Sequence, residues 1–110
     1  MFVVRFLLLL VLVSFQLTAN AGIQTGQITR LIIRASDGLV YFHMSGTATN
    51  KPACAKYEYW MIKLEDSPAG KRQLAALLAA KSTSQTITVV GANTCTRWND
   101  GEDIEEIHLT

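Results

Sequence analysis

From residue 27 onward, apolar side chains alternate with polar ones or cluster in short β-branched and aromatic runs, and this pattern is interrupted only once. Residues 27–34 are rich in Ile, Thr and Leu and stop at Ser36-Asp37-Gly38, a turn signal that joins antiparallel strands. Residues 39–45 set Val40, Phe42 and Met44 against Leu39, Tyr41 and His43, the period-2 signature of a strand. Together the two runs predict a hairpin. Leu31 and Ile33 are expected on its core face, while Ile28 and Ile32 share the other face with Arg30 and Arg34, which asks for a bent or two-sided first strand. After a polar loop at residues 46–52, residues 57–64 predict a central third strand. Its Trp60 and Ile62 fall on one face and Tyr57, Tyr59 and Met61 on the other.

The interruption begins at residue 67. Ser67 can cap a helix, and Pro68 suits a first turn because the amide hydrogen it lacks would be unpaired there. A helix is predicted over residues 68–81, with Leu74, Leu77 and Leu78 as its buried stripe. Ala69, Ala75, Ala76, Ala79 and Ala80 occupy much of the remainder. Alanine is the best helix former, and a face of such small side chains also lets a second helix approach closely, as in a ring of copies. Thr83-Ser84-Gln85 ends the helix; residues 86–90 and 104–109 are the last two strands, the former stopped by Gly91. Three strands, one helix and two strands in so short a stretch is the order of a small five-stranded OB-like barrel (βββαββ), mainly β with one α-helix. Such barrels mostly bind ligands. No repeat, low-complexity tract or linker divides residues 22–110, so one domain is expected.

The N-terminal 21 residues carry a different pattern. Arg5 supplies a positive start, residues 6–15 are almost wholly apolar, and Ala19-Asn20-Ala21 is the small-x-small pattern that a signal peptidase accepts. Residues 1–21 are thus expected to be a signal peptide cleaved after Ala21. The apolar run is shorter than the ~20 residues of a membrane-spanning helix, so no membrane anchor is expected, and the product is placed in the periplasm or outside the cell. The chain has 10 Lys plus Arg and 9 Asp plus Glu, and loss of Arg5 balances the two signs. Such neutrality argues against nucleic acid as a partner. Asp100, Glu102, Asp103, Glu105 and Glu106 nonetheless crowd the C-terminal end.

Cys54 and Cys95 lie 41 positions apart in the exported part, where a lone pair has one intramolecular connectivity. One disulfide is expected, since two cysteines without a nearby ligand pair fall short of structural zinc. Catalytic constellations are not expected. His43 and His108 stand outside any nucleophile or metal motif, and Cys95 has Cys54 as a bridge partner. Asp100-Gly101-Glu102-Asp103 resembles a calcium loop only superficially, because Thr96 and Trp98 stand where oxygen donors are needed. No metal or cofactor follows from these residues.

The stretches Pro52-Ala53-Cys54-Ala55, Tyr59-Trp60-Met61-Ile62-Lys63, Ala69-Gly70-Lys71, and Gly91-Ala92-Asn93-Thr94-Cys95-Thr96-Arg97-Trp98 followed by Asp100-Gly101-Glu102-Asp103-Ile104 carry a resemblance. They resemble a family of small exported bacterial proteins of uncharacterised function and span nearly all of the part after residue 21. More remotely, length, leader, single disulfide and element order are similar to the OB-fold B subunits of pentameric bacterial toxins, the subtilase-cytotoxin type especially. That resemblance implies glycan binding and ring assembly; no sugar-contact motif transfers residue by residue.

A binding module is therefore expected, recognising a glycan or a protein surface, and not an enzyme. Tyr41, Tyr57, Tyr59, Trp60 and Trp98 supply candidate stacking surface, with Trp60 expected in the core and Trp98 exposed. The site is placed in the loop of residues 93–103, on Asn93, Arg97, Trp98 and Asp100, where a disulfide at Cys95 would hold the loop before any ligand arrives. The competing reading of this loop is structural, with Arg97 pairing to Asp100, Glu102 or Asp103 and Trp98 capping the barrel end. The competing function is a structural or assembly protein associating through the helix of residues 69–80.

Overall fold

The computed structural model describes residues 21–110, so the expected signal segment lies outside the described residues except for Ala21. Six strands and one helix follow: β1 (Ile23–Gly26), β2 (Ile28–Ile33), β3 (Val40–Met44), β4 (Trp60–Met61), α1 (Pro68–Thr83), β5 (Ile87–Gly91) and β6 (Glu102–Leu109). They form one sheet in the order β1-β5-β6-β4-β3-β2, antiparallel except for the β4–β6 pair. The described residues are thus mainly β with one helix, but with six strands where five were expected. The extra strand precedes the expected first one, across Gln27: β1 pairs with β5 and β2 with β3. β1 escaped the hydrophobic pattern because its buried side chain is polar. Gln24 accepts from the Trp60 indole nitrogen at 2.8 Å and donates toward the carbonyls of Ser45 (3.2 Å) and Gly46 (3.3 Å).

β1 and β2 end the hydrogen-bonded order at opposite edges, so the sheet is open by its ladders where a closed barrel was expected. The β1 edge is not bare. Ile23 exchanges both backbone hydrogen bonds with Thr49 (3.0 and 2.9 Å), and the Gln27 carbonyl accepts from the Ser45 amide at 2.9 Å.

Register explains one misplaced side chain. Ile28 opposes Met44 while Arg30 opposes His43, so Thr29 is an extra residue that reverses the in–out alternation. Ile28, expected on the face of Arg30, therefore packs on the core with Leu31, whereas Ile33, expected inside, ends β2 beside the turn and is 57% exposed. The strand expected over residues 57–64 is only Trp60–Met61, with Tyr57 60% exposed outside it, but around β4 the other predicted faces hold: Trp60 and Ile62 join Phe42, Leu77, Ile87 and Val89, while Tyr59 and Met61 cluster with Leu39 and Tyr41 on the other side.

The helix starts as its cap predicts, with Ser67 Oγ accepting from the Gly70 amide at 2.9 Å, and stops at Ser84 in the left-handed conformation. Its buried stripe is Gly70, Leu77 and Ala80, with Leu74 packed beside them; Leu78 is 46% exposed. Leu78 stands one position, about 100° of helix, from Leu77, too far round to share that stripe. Ala80 thereby belongs to the core and not to an open alanine face. The Cys54–Cys95 disulfide is formed and ties the loop before β4 to the loop after β5. No helix of the described residues is long and apolar enough to cross a membrane.

Candidate ligand-binding site

The loop between β5 and β6 is shaped around one carboxylate. Asp103, fully buried on β6, accepts from Thr94 Oγ1 (2.6 Å), the Thr96 amide (2.9 Å), Thr96 Oγ1 (2.7 Å) and the Arg97 amide (3.1 Å). Burial alone would raise its pKa, but these donors together outweigh it and hold the carboxyl below its ordinary value. Four bonds to one anion fix the loop backbone in place.

Arg97 projects from that frame, and its side chain is engaged by residues outside the loop. Its Nε donates to Glu65 Oε1 at 2.7 Å and its Nη2 to the Asp37 carbonyl at 2.9 Å, with the Asp37 carboxylate 3.7 Å from Nη1. The guanidinium clasps the β2–β3 turn to the segment before α1, and its ion-pair partners are Glu65 and Asp37 in place of the acidic residues of its own loop. Asn93 is held elsewhere: it adopts φ 62° and its amide donates to Glu102 Oε2 at 3.0 Å.

Trp98 and Asp100 are brought together in a cavity of about 160 Å³, lined also by Arg34, Leu39, Tyr41 and Tyr59. Trp98 is 43% exposed, and the Arg34 guanidinium carbon lies 4.4 Å from its ring centroid. Arg34 is itself oriented by Asp37, through Nε at 2.9 Å, and the guanidinium holds that carboxyl well below the usual range. Tyr59 donates its hydroxyl to Asp100 Oδ1. Burial first, then this carboxylate partner, push the Tyr59 phenol well above its ordinary pKa, so it stays a neutral donor. Tyr41 meets the Tyr59 ring edge-on at 5.4 Å between centroids, with His43 tilted against Tyr59 at 6.3 Å.

Two of the four residues expected at the site thus line one cavity, and two hold the loop from outside it. Arg34 and Leu39 were not expected there. The signal that could have found them is the hairpin: the turn at Ser36-Asp37-Gly38 sets Arg34 opposite Leu39, whose strand face also carries Tyr41. A second cavity of about 160 Å³ lies between the first turn of α1 and β6, near Leu64, Gly70 and Ile104, but it has no aromatic ring in its wall. Among the described residues no group of three or more His, Cys, Asp or Glu side chains is placed to hold a metal ion. Compared with protein-family models, with curated proteins and with solved structures, the chain has no match.

Proposed function

We propose that this chain is an exported, non-enzymatic binding module whose cavity between Arg34, Tyr41, Tyr59, Trp98 and Asp100 takes the terminal residue of a glycan. The observation that carries the reading is the convergence of three aromatic rings with a guanidinium and a carboxylate around one small opening. A sugar ring has apolar C–H faces that lie on aromatic rings, and a hydroxyl rim that matches paired donors and acceptors. The volume is below the roughly 300–1,000 Å³ of drug-sized ligand sites, which fits a single ring at the end of a chain. Resemblance to toxin B subunits leans the same way. The disulfide and the leader pattern support export to the periplasm or beyond.

The same reading counts β1 and β2 as one bent strand of an OB-like barrel. Its support is that a single residue separates them while they flank opposite edges of the sheet order, and that Ile23–Thr49 and Gln27–Ser45 hydrogen bonds bring β1 against the end of β3.

A glycan-array screen with the wild type and with Trp98→Ala and Tyr41→Ala tests the function. The expected result is binding to a set of glycans sharing one terminal sugar, weakened about tenfold or more by either substitution. Absence of any glycan binding by folded, oxidised protein would remove the reading. A second reading, assembly through the outer face of α1, is favoured by one observation: Leu78 is 46% exposed between the exposed Ala75 and Ala79.

A further inference from the structure

Glu102, the first residue of β6, is fully buried, and its carboxylate is only half satisfied. Oε2 accepts from the backbone nitrogens of Gly22 (3.1 Å) and Asn93 (3.0 Å), whereas Oε1 has no hydrogen-bond partner among the described residues. Among the described residues, none of the ion pairs includes it. Lys51 feels its charge but aims Nζ elsewhere, 3.8 Å from the Trp60 ring centroid and 3.2 Å from the Tyr59 carbonyl, and burial lowers the pKa of this amine to about 8. A buried carboxylate left without a counter-ion is strongly unfavourable.

The room around this carboxylate is made by two glycines. A Cβ on Gly22 would strike Glu102 Oε1, Lys51 and Trp60, and a Cβ on Gly91 would strike the same carboxylate. Gly22 is fixed there by the Gly91 amide, which donates to its carbonyl at 2.8 Å, and by the β1–β5 ladder that starts at Ile23. Gly22 is also the residue that follows the small-x-small pattern Ala19-Asn20-Ala21.

We infer that hydrolysis of the Ala21–Gly22 peptide bond turns the Gly22 nitrogen into an α-ammonium that is the buried counter-ion of Glu102, so that removal of the leader completes the fold. The C–N bond breaks, the oxygen of the attacking water joins the Ala21 carbonyl as a carboxylate, and both water protons end on the Gly22 nitrogen. That nitrogen then carries three N–H bonds in place of one. One keeps the bond to Oε2, another is available to the unsatisfied Oε1, and the positive charge neutralises the carboxylate. Cleavage one residue earlier would leave an uncharged amide against Glu102, and cleavage one residue later would remove Gly22 altogether. The inference rests on the leader being cleaved, as the export reading holds, but not on the glycan site.

Two oxidised proteins, one starting at Gly22 and one at Ala21, are prepared by site-specific release from a fusion, each with Glu102 and with Glu102→Gln. The Gly22 start is expected to melt roughly 10 °C above the Ala21 start, and the difference to vanish with Glu102→Gln. Equal melting of the two wild-type starts overturns the ion pair, whether or not export occurs. Should Glu102→Gln not fold, reductive methylation of the Gly22-start protein at neutral pH decides instead: a Gly22 amine that reacts only after unfolding supports the pair, and prompt methylation overturns it. N-terminal sequencing of protein exported by a bacterial host is expected to begin at Gly22; any other start overturns the processing step alone. Loss of glycan binding alters none of these readouts.

Discussion

Arg97 and Trp98 are neighbours in the chain, but their side chains meet different parts of the molecule. Arg97 is held by Glu65 and Asp37, and Trp98 stacks with Arg34 at the rim of the cavity. Arg97→Ala leaves the half-buried Glu65 carboxylate without its donor and is expected to cost about 1–3 kcal/mol. Trp98→Ala forfeits mainly the cation–π contact, about 0.5–1 kcal/mol, because the ring lies at the surface, 43% exposed, and outside both core clusters. Urea unfolding of the two variants separates a clasp from a contact residue, and an equal loss from both would contradict this division. Asp103 is the second residue whose role is measurable. Its carboxyl titrates lower in the folded chain than in the unfolded one, so its contribution is fully present above about pH 4 and is lost as pH falls through the folded value. Asp103→Asn is expected to lower stability at pH 7 by about 2 kcal/mol and to flatten the acid limb of a pH–stability curve. An unchanged acid limb would show that other carboxylates govern acid unfolding.

At the scale of elements, the helix decides between a core face and an assembly face. Its cap and first turn are legible locally, because Ser67 and Pro68 act on amides within one turn of themselves. Which leucine is buried was not legible, since Leu77 and Leu78 are equally apolar and only the sheet beneath α1 selects Leu77. Ala80→Glu forces a carboxylate into a space where Ala80 is fully buried and is expected to prevent folding at ordinary temperature. Leu78→Glu is expected to keep the melting temperature within a few degrees, since that site is exposed. If α1 is an interface, sedimentation shows Leu78→Glu as a monomer beside an oligomeric wild type; a monomeric wild type at high concentration ends the assembly reading. The hairpin gives the same lesson for strands. Alternation assigned the faces of Trp60, Met61 and Ile62 correctly because no bulge interrupts them, and failed at Ile28 because the extra residue Thr29 shifts the register of β2 against β3.

Over the whole molecule, the disulfide is the longest-range tie that composition alone could specify. It closes a loop of 41 positions, for which chain entropy gives at most roughly 4 kcal/mol. Reduction is accordingly expected to lower the melting temperature by more than any surface substitution named above, and the oxidised mass to fall short of the reduced mass by two hydrogens. Recovery of free thiols from exported protein would contradict the bridge. With two cysteines there is one pairing to choose, and with a proline after a capping serine there is one place to start the helix, so the sequence by itself determined the disulfide, the helix start and the mainly β class. These depend on residues close in the chain or on a choice with one answer. The extra strand before Gln27, the burial of Gln24 and Glu102, and the meeting of Arg34 with Tyr59 and Trp98 were decided only by the tertiary structure. Each depends on which strands pair and in what register, and local periodicity carries no information about a partner dozens of residues away.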